Sequence, residues 1–167
     1  ETKDFDSAIQ EALAIIGQAS AADRIYLFVN HPHPVTQEQV SSYDYEWAQP
    51  QVKTEIDNPL LKNVRWNEND MGEWYEQLAQ NQVVGGPLRD FSPEQQRALA
   101  LNDIRSVLNV PVFVSEQFWG FLGFDDCHNE RHWSPDEKNV LRTLAASIGA
   151  AIERKITDDQ LHKEREV

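Results

Sequence analysis

The sequence contains very little cysteine and no long apolar segment, and both shortages narrow its class. Cys127 is the single cysteine among 167 residues, so one chain can form neither an internal disulfide nor a cysteine-based metal site. This cysteine usage favours a reducing compartment, and we expect a cytoplasmic location. No apolar run approaches the roughly 20 residues that a membrane-spanning helix needs, so we expect no membrane contact from this segment.

Basic residues are also scarce. The chain has 15 basic and 28 acidic residues, which give a formal net charge of −13 at pH 7. A nucleic-acid partner requires a basic patch, so this balance argues against one. A hydrophobic share of 40% and a charged share of 26% are ordinary for a soluble globular protein. We interpret the negative net charge as a solubility feature.

Hydrophobic periodicity predicts one domain in which helices and strands alternate. Helices are expected over residues 5–19, 71–80 and 93–101 and from 135 onward, and strands over 24–30, 41–49, 82–84, 107–114 and 118–124. Residues 51–70 show little periodicity and are expected to be mostly loop. Because hairpins and insertions join the strands, we predict an α/β fold with a largely antiparallel sheet.

Short signals set the ends of several elements. Ser92-Pro93-Glu94-Gln95 and Ser134-Pro135-Asp136-Glu137 each combine a capping serine, a first-turn proline and a residue able to complete a capping box. Gly85-Gly86-Pro87 is expected to end the short strand that begins at residue 82. The apolar strands 107–114 and 118–124 are expected at the centre of the sheet, and Pro111 predicts a bulge in the first of them.

An ordered set of motifs in residues 104–155 resembles the GAF domain family, and the order of elements extends a weaker resemblance over residues 5–103. The motifs are Val110-Pro111-Val112, Trp119-Gly120, Arg131-His132-Trp133, the capped start at Ser134 and Ala151-Ile152-Glu153-Arg154. The resemblance implies a central antiparallel sheet with the N- and C-terminal helices on one face. It also implies a pocket on the other face, beneath the middle helices and loops. We expect a GAF domain over residues 1–155 and the start of a linker or signalling helix over residues 156–167.

The resemblance implies a sensory or regulatory role rather than an enzyme. We expect a module of a larger cytoplasmic signal-transduction protein, with a histidine kinase or cyclic-di-GMP type output outside this chain, that binds an unidentified small molecule. The alternative is a ligand-free domain that serves as a dimerisation and signal-relay spacer. The fold alone does not decide between them, since one fold serves many ligands.

Aromatic residues in the middle of the chain are the candidates for the pocket. An aromatic-walled cavity would suit a planar ligand, although the same rings could fill the cavity themselves. The candidate pocket residues are Tyr45, Trp47, Trp74, Tyr75, Leu78 and Phe91.

The cofactors of known GAF domains find little support in the sequence, so the cofactor stays unknown. Bilin-binding relatives attach the pigment through a cysteine in the region that matches residues 92–103, which has none here, and Cys127 follows the Trp-Gly strand instead. A covalent bilin is therefore not expected. Relatives that bind cyclic nucleotides carry Asn-Lys where this chain has Asp125-Asp126, a pair that we interpret as part of a solvated loop. His31 and His33 lack an evident third ligand, so no metal is assigned.

The C-terminal helix is the candidate dimer element. GAF domains commonly pair through their terminal helices, and this helix mixes charges of both signs along its length. Its candidate contact positions are Leu144, Ile148, Ile152 and Ile156, which are spaced by four residues. We expect a homodimer through the terminal helices, within a chain fused to other signalling domains.

Overall fold

The computed structural model describes residues 2–165, with side chains from residue 4. This range contains four α-helices and five strands. The strands form one sheet, and helices pack on both of its faces. The elements are α1 (Thr2–Ala19), β1 (Arg24–Pro32), β2 (Gln39–Ala48), α2 (Gly72–Ala79), β3 (Val84–Pro87), α3 (Pro93–Ala100), β4 (Ser106–Val114), β5 (Gln117–Asp126) and α4 (Pro135–Arg165). Short 3-10 turns lie at Pro59–Leu61 and Leu88–Asp90.

The five strands form one antiparallel sheet in the order β2-β1-β5-β4-β3. This arrangement confirms the predicted sheet and places the hairpin strand that carries Trp119 at its centre. Helices α1 and α4 both pack on one face, which we term the helical face. Its core combines aliphatic residues of α1, such as Leu13, with residues of β1, β4, β5 and α4, and it includes the buried Trp133.

Two features of the β3–β4 edge differ from the sequence prediction. Gly85-Gly86-Pro87 does not end the short strand, because these residues pair with β4 as part of β3. Pro111 is not at a bulge, because it pairs in regular register with Phe121; the register shift of this strand pair falls between Val112 and Phe113, where Trp119 of β5 is the extra residue. Since β3 pairs only with positions 106–109, the outer side of β4 is free of a partner strand at Pro111, where a missing N–H is tolerated.

Both predicted helix caps are present. The Ser92 side chain accepts from the Gln95 amide, and the Gln95 side chain accepts from the Ser92 amide, which completes a capping box at α3. Ser134 and Glu137 make the same reciprocal pair before α4. Helix α4 then continues without a break to Arg165. The predicted division at residue 156 therefore falls inside one helix, and residues 1, 166 and 167 lie outside the described part of the chain.

Among residues 2–165, no helix combines the length and the apolar composition that crossing a lipid bilayer demands.

Candidate ligand site on the aromatic face

The sheet face opposite α1 and α4 is built largely from aromatic rings, and we term it the aromatic face. Alternation along β1 directs Ile25 and Leu27 to the helical face and Tyr26 and Phe28 to the aromatic face. The Phe28 ring stacks on Phe121 of β5 at 4.7 Å between centroids, and Tyr26 stacks on Tyr43 of β2 at 4.8 Å. The strands thus supply a continuous layer of rings.

Helix α2 and the connecting segments cover this layer. Trp74 and Leu78 of α2 are 4% and 0% exposed. The Trp74 ring lies 5.0 Å from the ring of Phe91, which follows the second 3-10 turn. Tyr75, half-buried at the margin, lies 5.4 Å from the ring of Phe118 on β5. These side chains occupy much of the space between α2 and the sheet.

The six candidate pocket residues do not form one group. Trp74, Tyr75, Leu78 and Phe91 lie together on the aromatic face, whereas Tyr45 and Trp47 pack against the core of the helical face. The Tyr45 hydroxyl donates to Asp6 of α1 at 2.6 Å. Placing Tyr45 and Trp47 in the same pocket as α2 is therefore wrong.

A β-bulge explains this error. Leu27 of β1 pairs with Tyr45 and Phe28 pairs with Tyr43, so Asp44 is an extra residue in β2. The bulge interrupts the strict alternation that the sequence suggests for this strand. Tyr43 consequently faces α2, while Tyr45 and Trp47 face α1.

Several residues of the aromatic face are not among the candidate pocket residues predicted from the sequence. Tyr26 and Phe28 could have been found, because aromatic and aliphatic residues alternate strictly in Ile25-Tyr26-Leu27-Phe28. Trp66 carried no such signal. It lies in the irregular segment 62–71, and its ring is 5.5 Å from the ring of Phe121.

A buried ion pair closes one end of the sheet. The Arg24 guanidinium donates to Asp125 Oδ2 through Nε and Nη2, both at 3.0 Å, and neither side chain is accessible to solvent beyond a few per cent. Arg24 also donates to the backbone carbonyl of Lys53 at 2.9 Å and to that of Asn102. One side chain therefore fastens the β2–α2 and α3–β4 connections to the end of β5.

The pair Asp125-Asp126 is not part of a solvated loop, contrary to the sequence interpretation. Both residues belong to β5 and are buried. Burial raises the pKa of Asp125 to about 6, while its neighbours Arg24 and Tyr26 act in the opposite direction. Asp126 Oδ1 accepts from the backbone amides of His128 and Asn129 at 2.9 and 2.8 Å, so this carboxylate shapes the turn after the strand.

Asp23, Asp126 and His128 bring potential metal-ligand atoms within 4.8 Å of one another. Their geometry is explained by bonds within the protein. Asp23 Oδ2 accepts from the Cys127 amide at 2.6 Å and lies 2.9 Å from His128 Nδ1. These contacts join the start of β1 to the loop after β5, and we assign no metal to them.

Cys127 lies in that loop and is half-buried. Burial raises the pKa of its thiol to about 11, and Arg24 offsets only part of this effect. Because the thiolate is the nucleophile, a raised pKa lowers the reactivity of Cys127 at neutral pH.

On the helical face, α1 and α4 leave an apolar groove of about 420 Å³ between them. Its lining includes Ile15, Leu144 and Ala151. Of the four candidate dimer positions, Ile148 and Ile152 are buried in the core of their own domain and are not available to a second chain. Leu144 is half-buried and Ile156 is exposed, so the predicted seam is only partly presented.

The sequence of this chain is similar to part of a regulatory histidine kinase. The chain is 41% identical over 155 residues to the methanogenesis regulatory histidine kinase FilI of Methanothrix harundinacea. The match covers 92% of this chain and 17% of that protein, so the chain spans less than a fifth of its relative. The homologous kinase is thus much larger than the domain described here.

Solved structures share the fold at low sequence identity. The blue-light absorbing form of the PixJ GAF domain of Thermosynechococcus elongatus matches with a TM-score of 0.79 and 17% identity, over 98% of this chain and 93% of that one. A phycoerythrobilin-bound GAF domain from a cyanobacterial phytochrome matches with a TM-score of 0.72 and 14% identity, over 93% and 89%. The family model described as GAF domain matches residues 4–152. The fold agrees with this match, since an antiparallel sheet lies between the paired terminal helices and an aromatic face. The chain therefore belongs to the GAF domain family.

Proposed function

We propose that this chain is the sensory module of a larger histidine kinase and that its aromatic face binds a small, planar molecule without covalent attachment. The observation that carries the proposal is the layer of rings on the sheet face opposite the terminal helices, with half-buried members at its margin: Phe28, Trp66, Tyr75, Phe91 and Phe118. Aromatic walls favour planar ligands through stacking. The phycoerythrobilin-bound neighbour lends support, because a planar conjugated molecule is bound by that example of the fold.

The chain itself has no catalytic role in this proposal. The matched kinase is several times longer than this chain, and in this proposal its output activity belongs to the part outside the shared region. A cytoplasmic location remains a prediction from the single cysteine. A non-covalent ligand fits the residues better than a covalent bilin, because residues 92–103 contain no cysteine and burial raises the pKa of the Cys127 thiol to about 11.

Native mass spectrometry of freshly purified protein tests the ligand proposal. We expect a retained small molecule that dissociates on unfolding, or a thermal stabilisation by one class of planar compounds. The matched control is a variant in which Trp74 is replaced by Ala, which removes a ring from the aromatic face. Loss of the retained mass or of the thermal shift in this variant assigns the ligand to that face. Binding that persists unchanged in Trp74→Ala places the ligand elsewhere and contradicts the proposal.

The alternative is a ligand-free domain that relays signals and dimerises. It is favoured by the complete burial of Leu78 and the near-complete burial of Trp74, since these side chains fill space that a ligand would need. It is also favoured by α4, which runs 13 positions beyond the end of the family match at residue 152. Neither a retained molecule nor a compound-specific thermal shift would be seen in this case.

A further inference from the structure

Trp66 reaches the aromatic face from a segment without regular structure. Residues 62–71 form turns and bends, with a single bridge between Val64 and Ser41. The indole ring of Trp66 lies 5.5 Å from the Phe121 ring and 5.3 Å from the Tyr75 ring. The side chain is only half-buried, in contrast to Trp74 on α2. Its position in the ring layer therefore depends on a loop and not on a helix.

Left-handed backbone conformations flank Trp66 on both sides. Asn63 has φ 54°, and Asn69 and Asp70 have φ 56° and 60°. Asn and Asp adopt this region at lower cost than other non-glycine residues, and such positions absorb changes of chain direction. Trp66 thus sits on a short segment with a turn point at each end.

The Trp66 side chain also makes a specific polar contact. Its Nε1–H donates to Ser41 Oγ at 2.8 Å. Ser41 is fully buried, and its hydroxyl donates in turn to Asn30 Oδ1 at 2.5 Å. Because the hydroxyl hydrogen is committed to Asn30, the oxygen can only accept at this site. If Trp66 moved away, the buried acceptor would require another N–H or O–H donor.

We propose that Trp66 is a displaceable occupant of the ligand site, and that the ligand is an aromatic heterocycle with a ring N–H. The ligand takes the place of the indole against Phe121 and donates its N–H to Ser41. This inference rests on the proposed function and adds the ligand class and the means of access. The Trp66 ring leaves the layer when the ligand binds, while the backbone bridge between Val64 and Ser41 stays in place.

Indole and 1-methylindole form a matched pair of probes for the first test. Replacing Trp66 with Ala should open a slot that binds indole, and 1-methylindole, which has no N–H, should bind about tenfold more weakly. The control is Trp47→Ala, which removes an indole from the opposite face, where no preference between the two probes is expected. Failure of Trp66→Ala to bind indole, or equal affinity for both probes, overturns the proposal.

The wild-type protein supplies the second test, which does not depend on the stability of a variant. In protein labelled with 5-fluorotryptophan, adding indole should move the ¹⁹F resonance of Trp66 toward its position in the urea-unfolded chain. The resonances of Trp74 and Trp133 should stay in place. If the Trp66 resonance does not move at saturating indole, Trp66 is a fixed core residue and the proposal fails. The absence of a retained ligand in native mass spectrometry would count against the proposed function but would leave both of these results unchanged.

Discussion

At the scale of single residues, the thiol of Cys127 is held in its protonated form. Burial raises its pKa from 9.0 to about 11, which reduces the thiolate fraction at pH 8 by about 100-fold. We expect iodoacetamide to alkylate Cys127 in the folded protein about 100-fold more slowly than in the unfolded chain, as followed by intact mass. Equal rates in folded and guanidinium-unfolded protein would show that the thiol is neither buried nor perturbed.

The buried carboxyl of Asp125 gives a second prediction. Its pKa in the folded protein is about 6, above the ordinary 3.8, so the folded state binds the proton more tightly. The resulting contribution to stability is complete below about pH 4 and is lost as the pH rises through 6. In urea titrations, the free energy of unfolding of the wild type relative to Asp125→Asn should therefore fall between pH 4 and pH 7. A difference that rises over this range would mean that Arg24 dominates and holds the carboxyl ionised.

At the scale of elements, β2 shows what a local pattern can and cannot predict. Alternating aromatic residues predicted the strand within two positions at each end, because the preference for a pleated, half-buried strand is local. The faces of its residues were not predictable, because the bulge at Asp44 depends on contacts with distant segments. Lys62, 18 positions away, contacts both the Asp44 carboxylate and the Tyr43 carbonyl.

Trp66 illustrates the same limit for the candidate site. Residues 51–70 lack periodicity, and a loop side chain has no preferred face that spacing could reveal. Trp74 and Leu78, by contrast, could be assigned to one face of α2 because helical spacing places them together. The part of the aromatic face that lies on regular elements was therefore accessible to sequence reasoning, and the part on the loop was not.

Helix α4 packs on β4 through a glycine, which leads to an element-scale prediction. A Cβ at Gly149 would lie 2.4 Å from the carbonyl oxygen of Phe113, a backbone atom that cannot move aside without shifting the strand. We expect Gly149→Ala to lower the free energy of unfolding by about 2 kcal/mol, despite the higher helix propensity of alanine. Urea denaturation measures the change.

Gly72 provides the matched control. A Cβ there would approach nothing closer than 3.8 Å, and Gly72→Ala should change the stability by less than about 0.5 kcal/mol. If Gly149→Ala were as stable as Gly72→Ala, the close approach of α4 to β4 would be incorrect. The result would also weaken the assignment of α4 as a helix tightly coupled to the sheet.

At the scale of the whole molecule, the order of motifs predicted the topology but not the ion pair that locks it. The Val-Pro-Val and Trp-Gly motifs are adjacent in sequence and form a hairpin, so their neighbourhood in the sheet follows directly. Arg24 meets partners that are 29, 78 and 101 positions away. Sequence spacing carries no information about such contacts. A lone arginine at the start of a strand gave no sign that it would be fully buried.

The exposed apolar surface of the helical face leads to the prediction at this scale. Ile15 is 63% exposed and lines the groove between α1 and α4, a pattern typical of an interaction surface. We expect the chain to form a homodimer through this groove. Because each copy carries a net charge of −13, association should strengthen as salt screens the repulsion. Sedimentation equilibrium over a concentration series, at low and at high salt, measures the dissociation constant.

Two substitutions distinguish association through this groove from nonspecific association. Ile15→Glu places a charge in the groove and should shift the protein to monomer, with at least a tenfold weaker association, because an unpaired charge is costly to bury. Leu60→Glu changes a residue that is 78% exposed outside the groove and should leave the dissociation constant unchanged. A wild-type chain that stays monomeric at every concentration and salt would contradict the interface. Equal weakening by both substitutions would place the contact elsewhere. We therefore expect dimerisation to depend on the groove itself, whose apolar lining a second copy would cover.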